Sequence, residues 1–248
     1  MALSGALMQE VVKRLKHGMR VASFGYPDMI APADIIAEAL KDKSSELKFH
    51  SDSEAICKRH GLSYRVMPDA HSFFALLDCK LDVYDIVRER GCEILCDLNM
   101  SMFGHDPYDI ILDVGTLEHC FNIGQAAMNM AGMLKAGGFI FHENPHSGWH
   151  NHGFYSIHPT FYNDFYTSND FELLKCVLST KDGQQIEVPL TARFNTQGER
   201  ELNLVCVAKR KSIAPFKYPM QKKYKIQTLV KPAAPAAGVN RAKEISNV

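Results

Sequence analysis

"YDIILDVGTLEHCFNIGQAAMNMAGMLKAGGFIFHENP", Tyr108 to Pro145, is the stretch on which the fold turns. It opens with "YDIILDVG", an apolar run closed by glycine, the pattern of a strand buried on both faces. "IGQAAMNMAGMLKAGG" comes next with Ala126, Met130 and Met133 directed inward, and Gly137-Gly138 predicts where the helix stops. "FIFHENP", from Phe139, reads as a strand again. A strand, a helix and a second strand in one run imply a right-handed crossover between parallel neighbours.

The same alternation extends outward. Upstream, "ALMQEVVKRLKHG" (from Ala6) reads as a helix, "MRVASFG" (from Met19) as a buried strand, and "PADIIAEALK" as a helix with Pro32 in its first turn. "SEAICKRHG" and "DAHSFFALLDC" add two helices, and "KLDVYDI" and "CEILCDLN" two strands. Downstream, "HPTFYNDFYTSND" reads as a helix, and "FELLKCVLST" and "ELNLVCVAKRK" as strands bracketing the turn-rich "KDGQQ" and "NTQGER". The expected fold class is α/β: a Rossmann-like, doubly wound, mostly parallel sheet with helices on both faces. With only a loop between them, the last two strands should pair antiparallel, giving an antiparallel edge strand. Residues 1–211 read as a single domain, and 212–248 as a basic, Pro/Ala-rich tail.

Bulk properties narrow the class. A chain of 248 residues that is 46% apolar can bury one large core. Net charge is zero, but from Lys209 onward ten Lys or Arg face one acid, Glu244, so the tail carries +9 and the body −9. Seven scattered cysteines with no CxxC pair fit a reducing compartment rather than a disulfide framework. No leader pattern and no apolar run near 18 residues occurs, so a cytoplasmic protein without a membrane partner is expected.

In such sheets ligands bind at the carboxyl ends of the strands, so function should sit in the residues just beyond them. Gly25 stands after the first, in "FGYPDMIAP", and permits close approach of the backbone to a ligand. At the second stands Asp82, as an acceptor for a ribose diol, with Asp85 as its rival. After the third, Asp97 suits an adenine amino group and Leu98 the ring's face. After the fourth, Asp113, Gly115, Glu118 and His119 are bunched together.

These residues carry a resemblance. The central stretch, with "LEH" (Leu117–His119) and "LKAGG" (Leu134–Gly138), resembles class I S-adenosylmethionine-dependent methyltransferases of the type 11 or type 23 kind. "LDVYDI" and "CDLN" stand where that family keeps its ribose acid and adenine-side acid, and "HGFYSIHPTFYNDFY" resembles an acceptor-side segment. The resemblance spans about residues 18 to 208, so 1–211 would form one methyltransferase-like domain. It implies an S-adenosyl-L-methionine cofactor held by Asp82 (with Val83 beside it), Asp97, Leu98 and Gly25, with Asp113 and Gly115 lining the methyl-donor pocket. "SFGYPDM" departs from the family, which usually shows several glycines in this loop.

The loop after Phe141, "HENPHSGWHNHGFYSIHP", holds five of the eleven histidines. On this scaffold it faces the transferable methyl group, where a hydroxyl acceptor must lose its proton. A histidine titrates in the right range. His150 and His152 lead as the base, with His119 and His146 behind them. His146, Trp149 and Tyr155 are expected to bind the acceptor. No metal ligands are assigned: Glu118, His119, His142 and Glu143 match no defined spacing such as HExxH, so a divalent metal is not favoured. The expected activity is O-methylation of a small polar acceptor, such as a sugar or sugar-containing metabolite. The alternatives are a degenerate methyltransferase-like binding or regulatory protein and, disfavoured, a nucleic-acid methyltransferase.

Overall fold

The computed structural model describes residues 2–63, 66–103, 106–196 and 201–224. The chain enters through β1 (Ala2–Leu3) and α1 (Gly5–Val12), followed by β2 (Arg20–Phe24) and β3 (Asp28–Met29). The Ser4 hydroxyl caps α1 by accepting from the Leu7 amide at 3.3 Å, and the helix buries Leu7, Met8 and Val11. Three helices, α2 (Ala33–Leu40), α3 (Ser53–Arg59) and α4 (Ala70–Leu76), fill the connection to β4 (Lys80–Asp85) and β5 (Ile94–Leu95). Then come β6 (Tyr108–Asp113), α5 (Ile123–Gly132), β7 (Leu134–Ser147), α6 (Pro159–Ser168), β8 (Phe171–Thr180), β9 (Gln185–Glu187) and β10 (Leu202–Arg210).

The main sheet has eight strands in the order β5-β4-β2-β6-β7-β10-β8-β9. From β5 to β7 all neighbours are parallel, as the strand–helix alternation requires. Alternate residues of each strand enter opposite cores. Ala22, Ile111 and Cys206 join Met130 and Tyr162 of α5 and α6 on one face, while Val21, Ile110 and Val205 join Leu7, Ile36 and Phe73 on the other. The expected α/β sheet with both faces covered is therefore present.

Some details differ from expectation. β8 and β10 do pair antiparallel, but β10 slots between β7 and β8, and the three-residue β9 takes the antiparallel edge. "QIE" lies partly in the "KDGQQ" stretch read as turn, where a short polar edge strand has no apolar pattern to betray it. Helix α5 ends at Gly132, not at Gly137-Gly138, and β7 begins at Leu134. The buried Arg210 guanidinium decides this. It donates to the carbonyls of Ala131 (3.0 Å), Gly132 (3.3 Å) and Leu134 (2.7 Å), satisfying groups that a helix end leaves open. Described residues beyond 211 contact the body. Phe216 stacks on Phe165 with ring centroids 6.1 Å apart, and the Lys222 amide donates to Asp164 at 2.9 Å. The remainder of the basic tail, 225–248, lies outside the described residues.

Candidate active site at the strand ends

Strand order reverses between β2 and β6: from β2 the chain builds toward β4 and β5, and from β6 toward β7. That switch point is where the helices on either face leave a crevice. A cavity of about 190 Å³ opens there, with Gly25, Asp85, Asp97, Leu98, Thr116 and His119 among its lining residues. Gly25 has φ 78°, a left-handed conformation suited to glycine, and its amide donates to the Tyr84 carbonyl at 2.7 Å. Asp85 closes β4, its Oδ1 accepting from the amides of Ile86 (2.7 Å) and Val87 (3.2 Å). Asp97 accepts from the Asn99 amide at 2.9 Å.

Four of the expected cofactor residues are elsewhere. Asp82 lies nearer the amino end of β4, level with Ala22, and its carboxylate is occupied by Arg20 (3.2 Å), Lys80 (3.1 Å) and the Tyr108 hydroxyl (2.9 Å). Burial alone would raise its pKa, but those three partners outweigh it and hold the carboxyl below the usual aspartate range. Val83, on the opposite side of the strand, is fully buried in the core. Asp113 is also fully buried. It accepts from the amides of Thr116 (3.0 Å) and Leu117 (3.1 Å), which fixes the turn Leu117–His119. Gly115, with φ 95°, makes that turn and does not line the cavity. None of the four lines the cavity. The strand-end carboxylate is Asp85, the rival that the sequence offered.

Beneath the turn runs a buried polar network. Asp113 meets His142 Nδ1 at 2.6 Å, and His142 Nε2 meets the Tyr166 hydroxyl at 2.5 Å. The Asn144 amide donates to Asp113 (3.1 Å) and to Glu118 Oε2 (2.9 Å), while the Tyr162 hydroxyl donates to Asn144 Oδ1. Burial pushes both tyrosines well above their ordinary range, so they remain donors. Glu118 is fully buried and oriented by this network, yet its Oε1 has no hydrogen-bond donor among the described residues.

Two histidines face that oxygen. His152 Nε2 stands 3.5 Å from Glu118 Oε1 and His119 Nε2 3.9 Å, with the imidazole rings 5.1 Å apart. The facing Glu118 carboxylate raises the His152 pKa above the usual histidine value. The loop is built to reach this place. The amides of Phe154 (2.9 Å) and Tyr155 (3.3 Å) donate to the Glu118 carbonyl, and a Cβ on Gly153 would stand 2.8 Å from that same oxygen. Only glycine lets the loop lie so close.

The other expected residues divide. His150 is exposed and outside this cluster. The Trp149 ring packs 5.8 Å from His152, with its indole N–H buried. His146 is buried, its Nδ1 meeting the Ile157 carbonyl at 2.9 Å, and burial lowers its pKa. It lines a second cavity of about 660 Å³ together with Tyr155, His158, Phe161 and Phe194. The two cavities share no lining residue, but the Tyr155 amide on the wall of the larger donates to the carbonyl of Glu118, next to His119 on the wall of the smaller. The sequence placed Glu118 beside His119 after the fourth strand but gave it no role, and it gave no sign of Phe194 as a wall residue. "LEH" was the only signal for the first.

No family model matches the chain, and no curated protein matches it. Among solved structures it is similar to a 1,6-didemethyltoxoflavin-N1-methyltransferase from Burkholderia thailandensis, with 12% identity, a TM-score of 0.46, and 84% of this chain and 80% of that one covered. A putative methyltransferase from Bacillus halodurans matches at 12% identity and TM-score 0.46, covering 84% and 98%. The [4+2]-cyclase SpnF matches at 10% identity and TM-score 0.38, covering 82% and 79%. Such likenesses leave the chemistry to be read from this chain's own residues.

Proposed function

We propose that the chain is an S-adenosylmethionine-dependent methyltransferase acting on a hydroxyl of a small polar acceptor of the sugar or sugar-containing class. The observation that carries this reading is the cavity at the strand-order switch point, lined by Gly25, Asp85, Asp97, Leu98 and His119, with Glu118 3.9 Å behind His119. The donor set fits the cofactor. Asp85 would accept from the ribose diol, Asp97 from the adenine amino group, Leu98 would pack on the ring, and the Gly25 backbone would admit the methionine part. S-adenosylmethionine, when bound, supplies a methyl carbon on a positively charged sulfur.

The chain's work is then alignment and removal of one proton. Glu118, His119 and His152 would take the proton from an acceptor hydroxyl held beside them, leaving its oxygen free to accept the methyl group. The cofactor would supply the methyl group and leave as the neutral thioether. His146, Tyr155 and Phe194 would hold the acceptor's body, since aromatic faces suit the apolar side of a sugar. Loss of the proton-accepting cluster should cost about 10²–10⁴ in turnover with little loss of cofactor affinity.

Calorimetric titration of the full chain with S-adenosylmethionine and S-adenosylhomocysteine tests the reading. Micromolar binding of both is expected, and no heat up to millimolar ligand sinks it. Binding without turnover on any hydroxyl acceptor would support a binding or regulatory protein instead, which the single glycine of "SFGYPDM" favours.

A further inference from the structure

We infer that Glu118, His119 and His152 form a site for a divalent first-row transition cation of the zinc, manganese or iron(II) class. One carboxylate oxygen and two imidazole nitrogens lie within 4.8 Å of one another. Ligands bound at about 2.1 Å to a tetrahedral ion stand about 3.4 Å apart. The separations from Glu118 Oε1, 3.5 Å to His152 and 3.9 Å to His119, need only small side-chain rotations to close on an ion.

The second observation is the state of Glu118. Its Oε1 is buried and has no hydrogen-bond donor among the described residues, a costly state unless positive charge faces it. The other oxygen is held by Asn144 at 2.9 Å, and Asn144 in turn by Asp113 and Tyr162. A ligand clamped by such an outer shell is the arrangement expected around a metal, and it aims Oε1 at the two imidazoles. The tight approach at Gly153 brings His152 over that oxygen. A pair of imidazoles with one carboxylate selects first-row transition ions over magnesium and calcium, which prefer all-oxygen shells. Three protein ligands also leave a coordination position open, the mark of a catalytic rather than a structural site.

The ion's role deepens the methyl-transfer reading and rests on it. His119 lines the switch-point cavity, so an ion here would lower the pKa of an acceptor hydroxyl reaching its open position. The proton would then pass to solvent rather than rest on His152. The binding site itself does not depend on that role.

The test uses the untagged full chain and Co²⁺ alone, followed by visible absorption, with Zn²⁺ as competitor. One equivalent of Co²⁺ should give d–d bands that Zn²⁺ abolishes. His119→Ala and His152→Ala, both at half-exposed positions where folding is not at stake, should each weaken binding by about tenfold or more. His150→Ala, on the same loop but outside the cluster, should bind as the unaltered chain does. No band up to about 1 mM Co²⁺, or a band that survives the double variant His119→Ala with His152→Ala, overturns the site. Because no S-adenosylmethionine is present, this outcome is separable from the cofactor titration. Cofactor binding without Co²⁺ binding removes only the metal, and Co²⁺ binding without cofactor binding removes only the methyl-transfer reading.

Discussion

Asp82 and Asp85 lie three residues apart on one strand and do different jobs. Asp82 is engaged by Arg20, Lys80 and Tyr108, whereas Asp85 closes the strand at the cavity. Asp85→Ala should therefore weaken S-adenosylmethionine binding by about 1–3 kcal/mol, the value of a charged hydrogen-bond acceptor, with an unchanged melting temperature. Asp82→Ala should do the reverse, costing about 1–2 kcal/mol of stability while leaving affinity alone, because it removes the carboxylate shared by Arg20, Lys80 and the Tyr108 hydroxyl. Calorimetry and thermal melts on both variants check this, and loss of affinity in Asp82→Ala alone would make Asp82 the ribose acid after all. The sequence could offer both acids but not choose. A two-residue period puts Asp82 on a side of the sheet, and only strand register tells how far it lies from the strand's end.

At the scale of elements, α1 is pinned to the sheet through Glu10. Its carboxylate meets Arg14 at 2.7 Å and Lys13 at 3.1 Å within the helix, and Lys175 of β8 at 3.4 Å. Burial would raise the Glu10 pKa, but these cations outweigh it and lower it from 4.5 to about 2. A depressed carboxyl stabilises the fold above its unfolded pKa and loses that contribution as pH falls toward the folded value. Glu10→Gln should accordingly be less stable by about 1–2 kcal/mol at neutral pH, allowing for solvent screening of a partly exposed pair. The difference should close between pH of about 5 and about 2. Chemical denaturation across that range reads it, and a gap independent of pH would show that the contribution is packing. The α5–β7 boundary belongs to this scale too. Gly137-Gly138 looks like a stop, but the end of the helix is set by Arg210, distant in sequence and invisible to local pattern.

For the whole molecule, the boundary at 211 has consequences. Residues 212–224 lie against the body, with Phe216 under Arg210 and beside Phe165, and Gln221 and Lys223 on the wall of the larger cavity. Truncation after Tyr224 should leave the melting temperature and acceptor affinity as they are. Truncation after Lys211 should lower stability by about 1–3 kcal/mol through loss of the Phe216 contact, and should open one side of the cavity. If both truncated chains melt like the full one, the segment is only draped on the surface. No helix among the described residues is long and apolar enough to cross a membrane.

Patterning along the chain is enough to dictate the layered α/β architecture. Apolar runs of strand length alternating with amphipathic segments leave a parallel sheet with two covered faces as the way to bury both patterns. It also determined that polar function clusters after the strands and that the loop beyond Phe141 is rich in histidine. Which polar residues meet depends on how the elements pack. Glu118 and His152 are far apart along the chain and come together because β6 and β7 pair in register and Gly153 lets the returning loop lie on the turn. Asp113 reads as a ligand in the sequence and is scaffold in the fold, because burial and two backbone amides claim its carboxylate. Periodicity records which side of an element a residue takes. Distance between elements comes from register and packing, and the chemistry of this site depends on that distance.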